Sequence, residues 1–157
     1  MTIQDLGNIG EFLAAIATLV TLIYLAQQIR QNTKAIRSAS HHAITDSFNQ
    51  LNGIVAADPA VGEYMRKGSR DYSSLTQGEE QSFRHLWLAY FRIFETLYYQ
   101  YQNGTMDKQL YESEHRSLES VIANPGVQEW WKTNTISFSE EFRNHVDGLI
   151  QAHRTRT

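Results

Sequence analysis

Carboxylates and imidazoles are the side chains in this sequence that could perform acid–base or metal chemistry, and their spacing decides whether they do. Glu112 and His115 stand three apart, the interval at which a helix of a di-iron carboxylate protein aims two ligands at one metal, and Glu95 is available on the preceding helical run. Such a site needs the Glu-x-x-His pattern twice, and the other pair, Glu141 and His145, is four apart. The motif is incomplete, a solvated charged face accounts for these residues, and no metal is expected. His41 and His42 are adjacent, so on a helix they point to different sides. His85 borders an aromatic stripe, as a core or boundary histidine would, and His153 lies in the tail. The chain has no cysteine, which excludes a thiolate ligand, a cysteine nucleophile and a disulfide framework. Nucleophile-elbow, P-loop, dinucleotide and zincin signatures are missing, and no glycine-rich turn could cradle a phosphate. The reading is of a protein that is not an enzyme, with no catalytic residue and no cofactor.

One further ionisable residue, Glu11, sits in unusual company. Phe12 to Ala26 carries no charge and nothing more polar than threonine or tyrosine. From Leu6 to Ala26 a helix rising 1.5 Å per residue covers roughly 31 Å, about the hydrocarbon thickness of a bilayer, so this stretch is predicted to span a membrane. A signal peptide would carry a basic residue ahead of the apolar run, and none precedes it. Arg30, Lys34 and Arg37 follow the span, whereas Asp5 and Glu11 are the charges before and within it, which places the C-terminal part in the cytoplasm and the N-terminus outside. At 100° per residue, Leu6, Ile9, Phe12, Leu13, Ile16, Leu19, Val20, Ile23 and Tyr24 fall on one side, suited to lipid. Gly7, Gly10, Glu11, Ala14, Ala17, Thr18 and Thr21 gather on the other, with Leu22 and Leu25 near its cytoplasmic end. Gly7, Gly10, Ala14, Ala17 and Thr21 recur at alternating steps of three and four, the seam that lets membrane helices approach closely. Glu11 itself has three readings: a place at the headgroup level beside water, a ring lining a polar path continued by Thr18 and Thr21, or a pairing with a foreign subunit.

The elements that must position these residues are helices. Of 157 residues, 41% are apolar and 20% charged, enough for one compact domain plus an appendage, and the 2 prolines and 9 glycines interrupt little. The formal charge of −3 gives no basic field for nucleic acid, and Lys and Arg are scattered. The helical pattern continues past the apolar run without a break before Gly53, carrying Ala35, Ile36, Ala39, Ala43, Ile44, Phe48, Leu51 and Val55 as a stripe. Asp58-Pro59 opens a short helix near 59–67 that stops at Gly68. Thr76 and Glu79 form a capping box ahead of the central core helix, whose stripe is Phe83, Trp87, Tyr90, Phe94, Leu97 and Tyr101, and Gly104 ends it. Asp107 opens the next helix, Asn124-Pro125 another before Trp130 and Trp131, and Ser137 with Glu140 caps the last, leaving a frayed tail from Ala152 to Thr157. The aromatic residues are read as core filling and not as a ligand box. The fold class expected is all-α: a transmembrane segment in 1–31 and a cytoplasmic helical bundle of about five further helices in 32–157.

Four segments, Ile9–Phe12, Leu22–Thr33, Phe94–Tyr101 and the Trp130-Trp131 pair, resemble an uncharacterised proteobacterial family of N-terminally membrane-anchored, all-helical proteins, over most of the chain. The resemblance implies the same architecture and a bacterial inner-membrane location, and brings no mechanism. The reading that follows is a membrane-anchored scaffold or interaction protein that self-associates through its N-terminal helix, with membrane lipid and another copy or another membrane protein as partners. The alternative is a subunit of an ion-conducting assembly lined by Glu11, Thr18 and Thr21. A third possibility is a helical protein whose first helix is buried or lies on a membrane surface.

Overall fold

The computed structural model describes residues 3–155, with the side chains of Asp5 and Leu6 outside the description. Among the described residues the fold is all-α, with six α-helices and two short 3-10 turns and no strand. The helices are α1 (Ile3–Ala57), α2 (Pro59–Arg70), α3 (Gln77–Gln102), α4 (Lys108–Ile122), α5 (Pro125–Asn134) and α6 (Glu140–Arg154). The chain divides into two compact units that meet in sequence at Ala39 and Ser40.

The first unit is the N-terminal part of α1, and every described side chain from residue 7 to residue 39 is exposed. α1 runs through Gly53 and ends at Ala57, because Pro59 disfavours a helical conformation at Asp58 before it. Residues 40–57 of α1 belong to the second unit, where Ile44 is buried and Phe48 packs its ring 5.3 Å from that of Phe94.

Within the second unit the helix starts have visible chemical causes. Asp58 caps α2 by accepting from Ala60 N, with Pro59 in the first turn, where a missing N–H is harmless. Thr76 and Glu79 form the expected capping box, and Glu79 also accepts from Lys67 Nζ at 2.9 Å. Those donors hold the Glu79 carboxyl down to about 2. Asp107 caps α4, and Gly104 terminates α3 with φ +68, a left-handed conformation that glycine adopts without strain.

Four local expectations are corrected. α2 does not stop at Gly68 but continues to Arg70, and Gly68 is buried inside it. Its lack of a side chain makes room for Leu75 and Phe83, whose side chains lie 2.7 and 2.8 Å from where a Cβ would stand, and α5 crosses α2 beside it, where a Cβ built on Gly126 would lie 1.8 Å from the Gly68 carbonyl oxygen. The start of α6 is Ser139, which accepts from Phe142 N; Ser137 belongs to a 3-10 turn. Glu95 of α3 accepts from the Ser139 N–H at 2.7 Å, supplying across the fold what a third-position glutamate supplies in a local capping box. Asn124 begins α5 without a side-chain cap; its amide instead donates to the carbonyls of Ser120 and Val121 at the end of α4. At the tail, α6 stays helical through Arg154, past the expected fraying at Ala152, and the last two residues lie outside the description.

α3 packs against α2 and α4, α5 against α2 and α4, and α4 against α6. The core is aromatic and centred on Phe91, fully buried with its ring 4.9 Å from Trp131 and 5.1 Å from Trp130. Tyr90 and Tyr101 of the expected stripe pack against the core while half-buried, the Tyr90 hydroxyl donating to Asn52 Oδ1. α3 is enclosed on more than one side, so its buried set is broader than a single stripe.

Candidate functional site

Two groups of residues stand apart from ordinary packing: the bare face of α1, and a histidine pair between α4 and α6. Gly7, Gly10, Glu11, Ala14, Ala17, Thr18 and Thr21 all lie on α1, which brings them onto a single side of one helix. None of them is covered: a Cβ added at Gly7 or Gly10 would meet nothing within 4 Å. The two threonines are committed to their own helix, Thr18 Oγ1 donating to Ala14 O and Thr21 Oγ1 to Ala17 O, each at 2.8 Å. Their donors are satisfied without water, which suits a helix in an apolar medium or against a close neighbour. On the opposite side Phe12, Leu13, Leu19 and Val20 are each about three-fifths exposed. This is the longest uncovered apolar surface among the described residues, with a mean hydropathy of 2.0 and no buried side chain.

The acid–base residues are distributed differently from the sequence spacing. Glu95 spends one oxygen on the Ser139 N–H and the other on Arg92 at 2.7 Å, and Glu112 pairs with Lys108 at 3.6 Å. His85, expected at the core boundary, is exposed on α3. His41 and His42 are exposed with rings 5.8 Å apart. Among the described residues no group of three or more His, Asp or Glu side chains converges as metal ligands would.

What the spacing did not suggest is that His115 and His145 face each other, ring centroids 5.1 Å apart. His145 stacks on Tyr98 at 4.7 Å, His115 lies 5.6 Å from Tyr111, and Tyr111 stacks on Tyr101 at 3.9 Å. The signal was present in one dimension: Tyr111, His115, Leu118 and Ile122 continue a single helical stripe, as do Phe142, His145 and Leu149. The hollow enclosed by this cluster is about 10 Å³, at or below the room that one water molecule needs. At that size it has no room for a small molecule, and Tyr98 and Tyr111 beside it pack partly buried against the core.

Burial pushes the His145 imidazole below its ordinary value of 6.5, the neighbouring His115 lowers it further, and Glu119 acts the other way. Because the folded-state value is the lower one, the unfolded chain takes up the proton first on acidification. The contribution of this site to stability is complete above pH 6.5 and is lost as pH falls from 6.5 through the folded value. We expect the urea midpoint, followed by tryptophan fluorescence, to drop between pH 7.5 and 5.5, and His145→Phe to flatten that dependence. An unchanged slope in the variant would assign the pH dependence elsewhere.

Comparison of the chain with protein-family models, with curated proteins and with solved structures found no match to any of them.

Proposed function

We propose that this chain is a single-pass membrane-anchored scaffold: α1 crosses the inner membrane between residues 6 and 26, and the helical domain on the cytoplasmic side serves interaction. The observation that carries this reading is the uncovered apolar surface of α1. A fully buried Val, Leu, Ile or Phe side chain gains about 1.5–3 kcal/mol over an exposed one, so the nine such residues exposed between residues 7 and 26 would in water forgo an amount on the order of the net stability of a typical domain or more. Every described side chain of that run is exposed within its own unit. Lipid supplies the cover. The following Arg30, Lys34 and Arg37 favour the cytoplasmic side for the domain.

The face formed by Gly7, Gly10, Ala14, Ala17 and Thr21 would be where a second helix docks, small residues permitting backbone approach and the self-bonded threonines leaving no donor unpaired. Thr18 and Thr21 satisfied in this way favour a packed seam over a water-lined path.

Alkaline carbonate washing of membranes is the test of anchoring. The parent should stay with lipid, whereas Ile16→Arg with Leu19→Arg, each costing about 2.5–3.5 kcal/mol near the middle of a span, should release the chain. Release of the parent would end the anchoring proposal. Self-association is read separately, as the mass in mild detergent by light scattering. Gly10→Leu, Ala14→Leu and Ala17→Leu together should lower that mass, and a triple variant that associates like the parent would remove the small-residue face from the proposal.

A further inference from the structure

From the cytoplasmic end of the apolar span onward, α1 keeps an exposed stripe, and its members past Ala26 are not explained by the anchoring. Leu22, Leu25, Ile29, Asn32, Ile36 and Ala39 recur at alternating steps of three and four, the a and d positions of a heptad, within one uninterrupted helix. Ile29 and Ile36 are 66% and 53% exposed, in a stretch otherwise rich in Gln, Asn, Ser and basic residues. At 100° per residue the six fall within an arc of about 100° that drifts backwards along the chain, as a left-handed supercoil requires.

We infer that residues 22–39 form a parallel, two-stranded coiled coil with a second copy of this chain, in which Asn32 meets its own counterpart across the seam. Charge placement argues for the copy. Arg30, Lys34 and Arg37 all occupy outer b and f positions, on the side away from the stripe. The positions flanking the stripe hold Ala26, Gln28, Thr33 and Ala35, none of them charged, so two identical helices meet without like-charge repulsion. A foreign helix chosen by charge would need ionic partners at those flanks, and there are none. Thr33 Oγ1 donates to Ile29 O at 2.9 Å, so its hydroxyl enters the flank already satisfied.

Asn32 is the specifying residue. A side-chain amide carries both donors and acceptors, so two copies can bond each other; a lone polar residue at an a position sets register and copy number at some loss of stability, and we extend that to Asn32 at d. The parallel direction rests on the anchoring reading, since copies inserted the same way into one membrane enter the cytoplasm side by side.

A cysteine scan of the full chain in membranes tests this, because the parent has no cysteine to give a background. Under mild oxidation, single cysteines at 29, 32 and 36 should give roughly fivefold more disulfide-linked dimer than those at 30, 34 and 37, since thiols whose Cα atoms lie beyond about 7 Å cannot bridge. Ile29→Asp with Ile36→Asp should abolish cross-linking at position 32 while leaving the tryptophan fluorescence of the helical domain unchanged. A flat profile, or maxima at 30, 34 and 37, would overturn the proposal. In detergent, Asn32→Leu should still associate but lose the single dimeric mass; a variant that stays strictly dimeric would overturn the role given to Asn32. Carbonate washing of the same membranes separates the two readings. Chains released by carbonate that keep maxima at 29, 32 and 36 would retain the seam and lose the anchor, and retained chains with a flat profile would do the reverse.

Discussion

Gly126→Ala is expected to lower the thermal midpoint of the helical domain by about 10 °C, following a loss of roughly 3 kcal/mol. The added methyl would lie 1.8 Å from the Gly68 carbonyl oxygen and 2.9 Å from the carbonyl carbons of Gly68 and Ser69. All three are backbone atoms of α2, so no rotamer change relieves the overlap, and α2 and α5 must move apart. Overpacking of a core usually costs about 1–3 kcal/mol, and a rigid obstacle places this change at the upper end. Gly68→Ala should be milder, since its Cβ meets the ends of two side chains, Leu75 at 2.7 Å and Phe83 at 2.8 Å. Gly148→Ala on α6, where nothing lies within 4 Å, should be neutral or stabilising by up to about 1 kcal/mol through helix propensity. Thermal unfolding followed by tryptophan fluorescence checks the order. If Gly126→Ala and Gly148→Ala melt together, the close crossing of α2 and α5 is wrong.

Phe91→Ala should cost about 3–5 kcal/mol, the range for removing a fully buried aromatic side chain. Phe91 lies where α3 meets the tryptophans of α5 and the approach to α6, with rings at 4.9 Å (Trp131), 5.1 Å (Trp130), 6.0 Å (Trp87) and 6.1 Å (Phe138). Its deletion would leave a cavity walled by stiff rings that cannot collapse inward as aliphatic chains partly can, and would remove several aromatic pairs at once. Phe91→Leu should recover part of the loss by restoring volume without the ring contacts. Urea unfolding read by fluorescence gives both values, with Trp130 and Trp131 as reporters beside the change. A loss under about 1 kcal/mol for Phe91→Ala would mean that the site is not the centre of the core.

Both predictions concern residues whose importance has little trace in the linear sequence. Gly68 reads as a helix stop because a glycine after a short amphipathic run usually is one, and Gly126 reads as an ordinary second residue after Asn-Pro. Gly126 matters because α5 crosses α2 at the Gly68 carbonyl, and Gly68 because Leu75 and Phe83 pack over it. Phe91 falls one residue off the stripe through Trp87, Tyr90 and Phe94, and becomes central because α3 is enclosed on more than one side. The pairing of His115 with His145 likewise needs α4 against α6, thirty residues on.

Where a feature is governed by residues within one turn of each other, it was legible. The caps at Asp58, Thr76 and Asp107, the stop at Gly104 and the continuity of α1 depend on local hydrogen bonds and steric preference, and they stand where the sequence put them. The cap of α6 shows the boundary: Ser137 and Glu140 fit the local pattern, yet Glu95 arrives from α3 to hold Ser139 and moves the helix start by two residues. The sequence by itself determined an all-helical chain, the apolar run on α1 and the periodic placement of its small, apolar and basic residues, because helix period and composition are properties of neighbours. Tertiary structure alone decided which glycines are contacts, which aromatic ring is central and which carboxylate caps which helix, because those follow from the approach of segments far apart in the chain, where burial and backbone clearance outweigh local preference.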